Sequence, residues 1–158
     1  MNAVRLALLR LRARGRLRVG RGVRIGRGAR VNATGGVRLG DGCVLGRGCR
    51  IEAAGGAVQI GAGARIGERN VIVALAGVSV GENAIVGDWV VLSDAFPEAP
   101  DVERPVRSQP LEALPISVGA GARIGPHAAL GAGARIAPGA AVASYAVVPT
   151  PAAPPTSP

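Results

Sequence analysis

The stretch VRLGDGCVLGRGCRI, residues 37–51, decides the fold. Leu39, Leu45 and Ile51 stand six apart, Gly40 and Gly46 follow the first two, and Cys43 and Cys49 hold the position four places after an aliphatic residue. The same hexad extends in both directions: Val19, Ile25, Val31; Ile60, Ile66, Ile72; Val80, Val86, Leu92; Val118, Ile124, Leu130; Ile136, Val142, Val148. Within each triplet the spacing is six, and between triplets it is eight, nine, eight, twenty-six and six. Extra residues therefore enter only after a third hexad. That pattern predicts a coil of three short flat strands, stacked about six times, with insertions tolerated at one corner.

The residue types fit such a coil. Gly after the aliphatic residue is expected to supply turn conformations that a Cβ resists. The position four places on is mostly small: Ala29, Cys43, Cys49, Ala64, Ala84, Ala122, Ala128 and Ala134 among others. Large and small side chains would then alternate across a narrow interior at close-packed density. Apolar residues do not recur at three and four, so the Ala content does not signal helices. The 158 residues include 25 Gly, 48% hydrophobic residues and only 2% aromatic ones. A globular core normally draws buried area from rings, whereas a solenoid stacks aliphatic ladders. The reading is all-β, with one solenoid domain over 19–148, an insertion at 93–117, a basic N-terminal helix or cap at 1–18, and a disordered Pro-rich tail at 149–158.

The tandem [LIV]-G-x-x-[small]-x string over roughly residues 19–148 resembles the hexapeptide-repeat signature of the left-handed parallel β-helix acyltransferases. The long loop Ser93–Ser117 late in the ladder, with Asp101–Pro110 inside it, is nearest to the galactoside, maltose and xenobiotic O-acetyltransferase branch. The resemblance implies left-handed crossovers, acetyl-CoA as co-substrate, a small-molecule or glycan hydroxyl as acceptor, a homotrimer with sites between subunits, and a His base. That family places its His just after a Ser-Asp or similar pair. Here Ser93-Asp94 is followed by Ala95-Phe96-Pro97, and Trp89 stands where Asn is frequent.

The single His, Trp and Tyr share one column of the hexad alignment: Gly28, Gly48, Arg69, Trp89, His127, Tyr145. Coils of a parallel ladder lie about 4.8 Å apart, so neighbouring rings are within stacking reach. Two readings stand side by side. The column is a corner stack that caps a turn or fills a subunit contact; or His127 is a base or ligand contact, with Trp89, Tyr145 and Arg69 around the substrate. Asp94 is the second catalytic candidate, against a turn or cap role. Asn70 breaks the small-residue ladder, and by register it points inward to bond backbone. Cys43 and Cys49 fall on different faces, which opposes a disulfide. Reduced core thiols fit a cytoplasmic protein. With one His, no three-His zinc site can be assembled, and no metal is expected.

The net charge is +9, every basic residue is Arg, and ten of the 19 lie between Arg5 and Arg30. No aromatic residues interleave with this charge, which argues against nucleic acid; an Arg-Ala-Gly-Pro bias without Lys points to compositional drift. In Met1–Arg18, Leu6, Leu8, Leu9 and Leu11 sit among Arg5, Arg10, Arg12, Arg14 and Arg16. Such a segment either caps the open end of the solenoid or lies on an anionic membrane surface at the inner face. It is too short to span a bilayer. Two functions follow: an O-acetyltransferase, or a catalytically degenerate β-helix that serves as a scaffold or binding protein.

Overall fold

The computed structural model describes residues 16–97 and 111–150. The chain is a left-handed parallel β-helix, a triangular prism of six coils. Sheet 1 stacks β1 (Leu17–Val19), β4 (Val37–Leu39), β7 (Ala57–Ile60), β10 (Gly77–Val80), β15 (Ile116–Val118) and β18 (Arg135–Ile136). Sheet 2 stacks β2 (Arg24–Ile25), β5 (Val44–Leu45), β8 (Arg65–Ile66), β11 (Ile85–Val86), β16 (Arg123–Ile124) and β19 (Ala141–Val142). Sheet 3 stacks β3 (Arg30–Asn32), β6 (Arg50–Ala53), β9 (Val71–Ala74), β12 (Val91–Ser93), β17 (Ala129–Leu130) and β20 (Val147–Val148). Every pairing within these sheets is parallel. The register is the hexad itself: Ile25 pairs with Leu45, Leu45 with Ile66, and Val86 with both Ile66 and Ile124.

The interior alternates as the sequence requires. Leu39, Leu45, Ile51, Ile60, Ile66, Ile72, Leu92 and Leu130 are buried, and between them lie Cys43, Cys49, Ala64, Ala84, Ala122 and Ala128. Burying a Leu or Ile contributes about 1.5–3 kcal/mol, so the ladders hold the coils together without rings. Asn70 is fully buried. Its Oδ1 accepts the Val90 N–H at 2.6 Å, and its Nδ2 donates to the Gly87 carbonyl at 2.8 Å. The inward amide thus ties adjacent coils together. Both cysteines are free and buried. Burial pushes the Cys43 thiol up to about 11, and Cys49 is raised by the same cause. Both stay protonated at neutral pH.

Three expectations change in detail. Leu17 and Arg18 belong to β1 rather than to a helix, because Leu17 pairs with Val37 and is buried; the remainder of that helix, residues 1–15, lies outside the described residues. Ser93 and Ser117 are still in strands, and the insertion opens as a hairpin, β13 (Ala95–Pro97) antiparallel to β14 (Leu111–Ala113). Residues 98–110 and most of the Pro-rich tail, 151–158, fall outside the described residues. Finally, Gly after the aliphatic residue is not the turn residue. A Cβ on Gly26, Gly40, Gly61 or Gly81 would lie less than 3.0 Å from backbone of the next coil, so close approach dictates Gly there. Positive φ occurs two residues later, as at Gly42 and Gly48.

Candidate functional site

The edge between sheets 2 and 3 carries the ring column. Each of its residues is held by a backbone bond to the preceding coil: Arg69 N–H donates to Arg47 O at 2.7 Å, Trp89 to Glu68 O at 2.9 Å, His127 to Asp88 O at 2.9 Å, and Tyr145 to Pro126 O at 3.0 Å. The side chains line up accordingly. The His127 and Tyr145 rings stack at 4.8 Å with planes 3° apart, and Trp89 and His127 at 6.4 Å with planes 5° apart. The Arg69 guanidinium lies over the Trp89 ring at 5.2 Å. Trp89 is 52% exposed and Tyr145 72%. The imidazole lies between the two rings at the exposed surface.

This edge is strained. Arg69, Trp89, His127 and Tyr145 have φ of 54°, 59°, 61° and 61°, in the left-handed region where coils 1 and 2 place Gly28 and Gly48. A non-Gly residue there costs about 1–2 kcal/mol, roughly 4 kcal/mol or more for four. A ring pair contributes about 0.5–1.5 kcal/mol and an exposed cation–π contact about 0.5–1 kcal/mol, so two pairs and one cation–π contact come to about 1.5–4 kcal/mol for the stack. The stack offsets part of that backbone cost. Backbone of this kind clusters at functional sites; Asn83, at the edge between sheets 1 and 2, has a φ of 55° as well.

Asp94 lies at a different edge, between sheets 3 and 1, and is fully buried. Its Oδ1 accepts the Leu75 N–H at 2.8 Å, and its Oδ2 accepts Ala76 at 2.8 Å and Gly77 at 2.6 Å. Its own carbonyl accepts the Leu114 N–H at 2.9 Å. The carboxylate fastens the preceding corner, and the main chain closes the base of the insertion. The structure therefore brings Arg69, Trp89, His127 and Tyr145 together and keeps Asp94 apart from them.

Sequence reasoning missed a third feature. The outward ladder of sheet 1 reads Arg18, Arg38, Gln59, Ser79, Ser117, Arg135, in direct register. Its small and polar middle leaves shallow grooves along the face, one of about 460 Å³ lined by Gln59, Ser79, Ser117 and Arg135, and the next by Arg38, Gln59 and Ser79. The alternation rule identifies these outward positions, but concavity depends on neighbouring side-chain sizes that no spacing reports. Sheet 3 contrasts with it. The hexad register already puts Val71, Val91, Ala129 and Val147 on the outside, above Arg30 and Arg50 in the same column, and they form that ladder, with Val91 and Val147 exposed beside the ring edge. Among the described residues, no group of three or more His, Cys, Asp or Glu could hold a metal ion, and no helix is long and apolar enough to cross a membrane.

No protein-family model matches the sequence, and no curated protein matches it either. Solved structures do. One is a single-residue variant of AntD, an N-acyltransferase from Bacillus cereus, in complex with dTDP-4-amino-4,6-dideoxyglucose and coenzyme A. It is similar at a TM-score of 0.64 and 18% identity over 82% of this chain and 71% of that one. A second AntD variant, with dTDP and coenzyme A, gives 0.55 and 17% over 84% and 75%. At such identities the likeness is one of fold.

Proposed function

We propose that the chain is a CoA-dependent acyltransferase that moves an acetyl group from acetyl-CoA to a hydroxyl of a sugar or glycan. The observation that carries this reading is the strained edge, which presents the one imidazole of the chain on a β-helix whose solved neighbours bind coenzyme A. His127 takes the hydroxyl proton as the oxygen attacks the thioester carbonyl. The C–S bond then breaks, and the imidazolium returns the proton to the departing CoA thiolate. Trp89 and Tyr145 give the acceptor ring two flat walls, and Arg69 offers a cation at the end of the stack. Arg38 and Arg135, at the two ends of the sheet 1 groove, are the candidates for the CoA phosphates. An amine acceptor is served by the same base, as befits the N-acyltransferase neighbours.

Groove and ring edge lie on opposite sides of the prism. A site that uses both draws them from two protomers, which fits a homotrimer assembled through the Val71–Val91–Ala129–Val147 ladder. Asp94 acts as a positioning residue for the insertion. The test is acetyl-CoA turnover with sugar acceptors. His127→Ala should lower kcat by roughly two to four orders of magnitude, the worth of a general base, beside a loss of about 1–3 kcal/mol from its two ring contacts, which unfolding measures separately. Wild-type rates in His127→Ala exclude His127 as the base. The scaffold reading is favoured by Ala95-Phe96-Pro97 standing where the resemblance puts a His. It predicts no CoA-dependent turnover and no thermal shift with CoA.

A further inference from the structure

The charge of this molecule is sorted along its axis. The first two coils carry Arg16, Arg18, Arg21, Arg24, Arg27, Arg30, Arg38, Arg47 and Arg50 against Asp41 and Glu52, a net of +7. Among the other described residues, Arg65, Arg69, Arg123 and Arg135 face Glu68, Glu82, Asp88, Asp94 and Glu112, a net of −1. A compositional bias toward Arg over Lys bears on the type of these residues. It does not explain why they gather at one end.

All nine of those arginines are exposed. They also encircle the prism. Arg18 and Arg38 project from sheet 1, Arg24 from sheet 2, Arg30 and Arg50 from sheet 3, and Arg21, Arg27 and Arg47 from the edges between sheets 1 and 2 and between sheets 2 and 3. Arg47 pairs with Glu68 and Arg50 with Glu52; Arg18, Arg21, Arg24, Arg27, Arg30 and Arg38 form no ion pair among the described residues.

We infer that this belt docks the protein end-on against an anionic lipid bilayer. Two coils rise about 10 Å, roughly one Debye length at 0.1 M salt. A flat charged wall touching the end of the prism thus attracts arginines of all three faces at once, while those of coils 5 and 6 stand beyond its reach. A nucleic acid strand or duplex would instead be tracked by a stripe along one face, with rings for stacking, and the rings of this chain lie on coils 4 to 6. The chain enters the first coil at the same end. Its preceding residues 1–15 include Val4, Leu6, Leu8, Leu9 and Leu11 among Arg5, Arg10, Arg12 and Arg14, the composition of an interfacial segment. Docked in this way, the ring edge and the sheet 1 groove stand upright from the membrane.

The test is co-sedimentation of the full chain with vesicles of phosphatidylcholine alone and with phosphatidylglycerol added at roughly one part in three. Binding is expected only to the mixed vesicles at about 0.05 M salt, with loss at about 0.5 M. Each basic residue near such a surface is worth about five-fold in partitioning. Arg24→Gln with Arg30→Gln should therefore weaken binding about 30-fold. Arg65→Gln with Arg123→Gln removes the same charge from outward positions farther along the axis and should change it by less than about three-fold. Unchanged unfolding midpoints confirm that both double variants are folded. Equal losses in the two variants, or none in the first, overturn the belt. Equal binding to pure phosphatidylcholine overturns the electrostatic reading. Binding to a short RNA duplex without binding to mixed vesicles overturns the membrane in favour of nucleic acid.

Discussion

Replacing Asp94 by Ala removes the acceptor of three backbone N–H groups at a stroke: Leu75 and Ala76 at 2.8 Å and Gly77 at 2.6 Å. A hydrogen bond to a charged group contributes about 1.5–3 kcal/mol. Leu75 and Gly77 are only half-buried and Ala76 is exposed, so water can take over part of the vacated space. The low end of the range then applies, and the three bonds together come to about 4 kcal/mol. At about 2–4 °C per kcal/mol for a chain of this size, the unfolding midpoint should fall by about 10 °C. Asp94→Asn keeps one carbonyl oxygen but turns an NH₂ donor toward an N–H donor, and should recover no more than half of the loss. Urea titration followed by circular dichroism, with no substrate present, measures both variants. An Asp94→Ala protein within about 1 kcal/mol of wild type would refute the corner-fastening role and return Asp94 to the list of candidate bases. A merely catalytic carboxylate would lose activity and leave the unfolding curve in place.

Two glycines of the same coil should fail for different reasons. Gly46→Ala meets the backbone of Gly67 and Glu68 in the next coil and should cost about 3 kcal/mol or more in urea unfolding, whereas Gly42→Ala has open space and only its φ of 67° against it, about 1–2 kcal/mol. The Cys43 thiol, raised in the fold from 9.0 to about 11, stabilises below pH 9 and loses that contribution as pH rises toward 11; unfolding midpoints at neutral and alkaline pH should show the decline, and Cys43→Ala should reduce it. Val91→Asp places a charge in the apolar ladder of sheet 3 and should convert a trimer to monomers in sedimentation velocity, an outcome void if wild type is itself monomeric at micromolar concentration.

The fold was legible because its rule is local and repeated. Any one hexad predicts the next, and Ile66 and Ile124 are buried where the period puts them. The ring column was legible for the same reason: stacking the coils places Trp89, His127 and Tyr145 one above another before any coordinate is known. What the period does not carry is contact between unlike parts. The carboxylate of Asp94 reaches amides 17 to 19 residues earlier, a match set by closure of one corner rather than by any motif. The strain at His127 was hidden as well. Its column begins with Gly28 and Gly48, which hints at positive φ, but only backbone angles distinguish a turn glycine from one required by close approach. The groove on sheet 1 depends on the size of Gln59 and Ser79 relative to their neighbours.

The glycines that let coils approach one another also determine how the stack can grow. Through five coils the positions after the aliphatic residue at the first two edges are Gly, from Gly20 and Gly26 to Gly119 and Gly125, and a Cβ on each would run into the coil above. In coil 6 the same positions are Ala137 and Ala143, with Pro149 at the third edge. Their side-chain carbons point where a seventh coil in the same register would lay its backbone, and Pro149 offers no N–H for pairing. The exposed strand ends of β18, β19 and β20 are thereby closed to another parallel ladder, including one presented by a second copy of the chain. In a molecule whose whole architecture is repetition, these three residues set the sixth coil apart from the five before it.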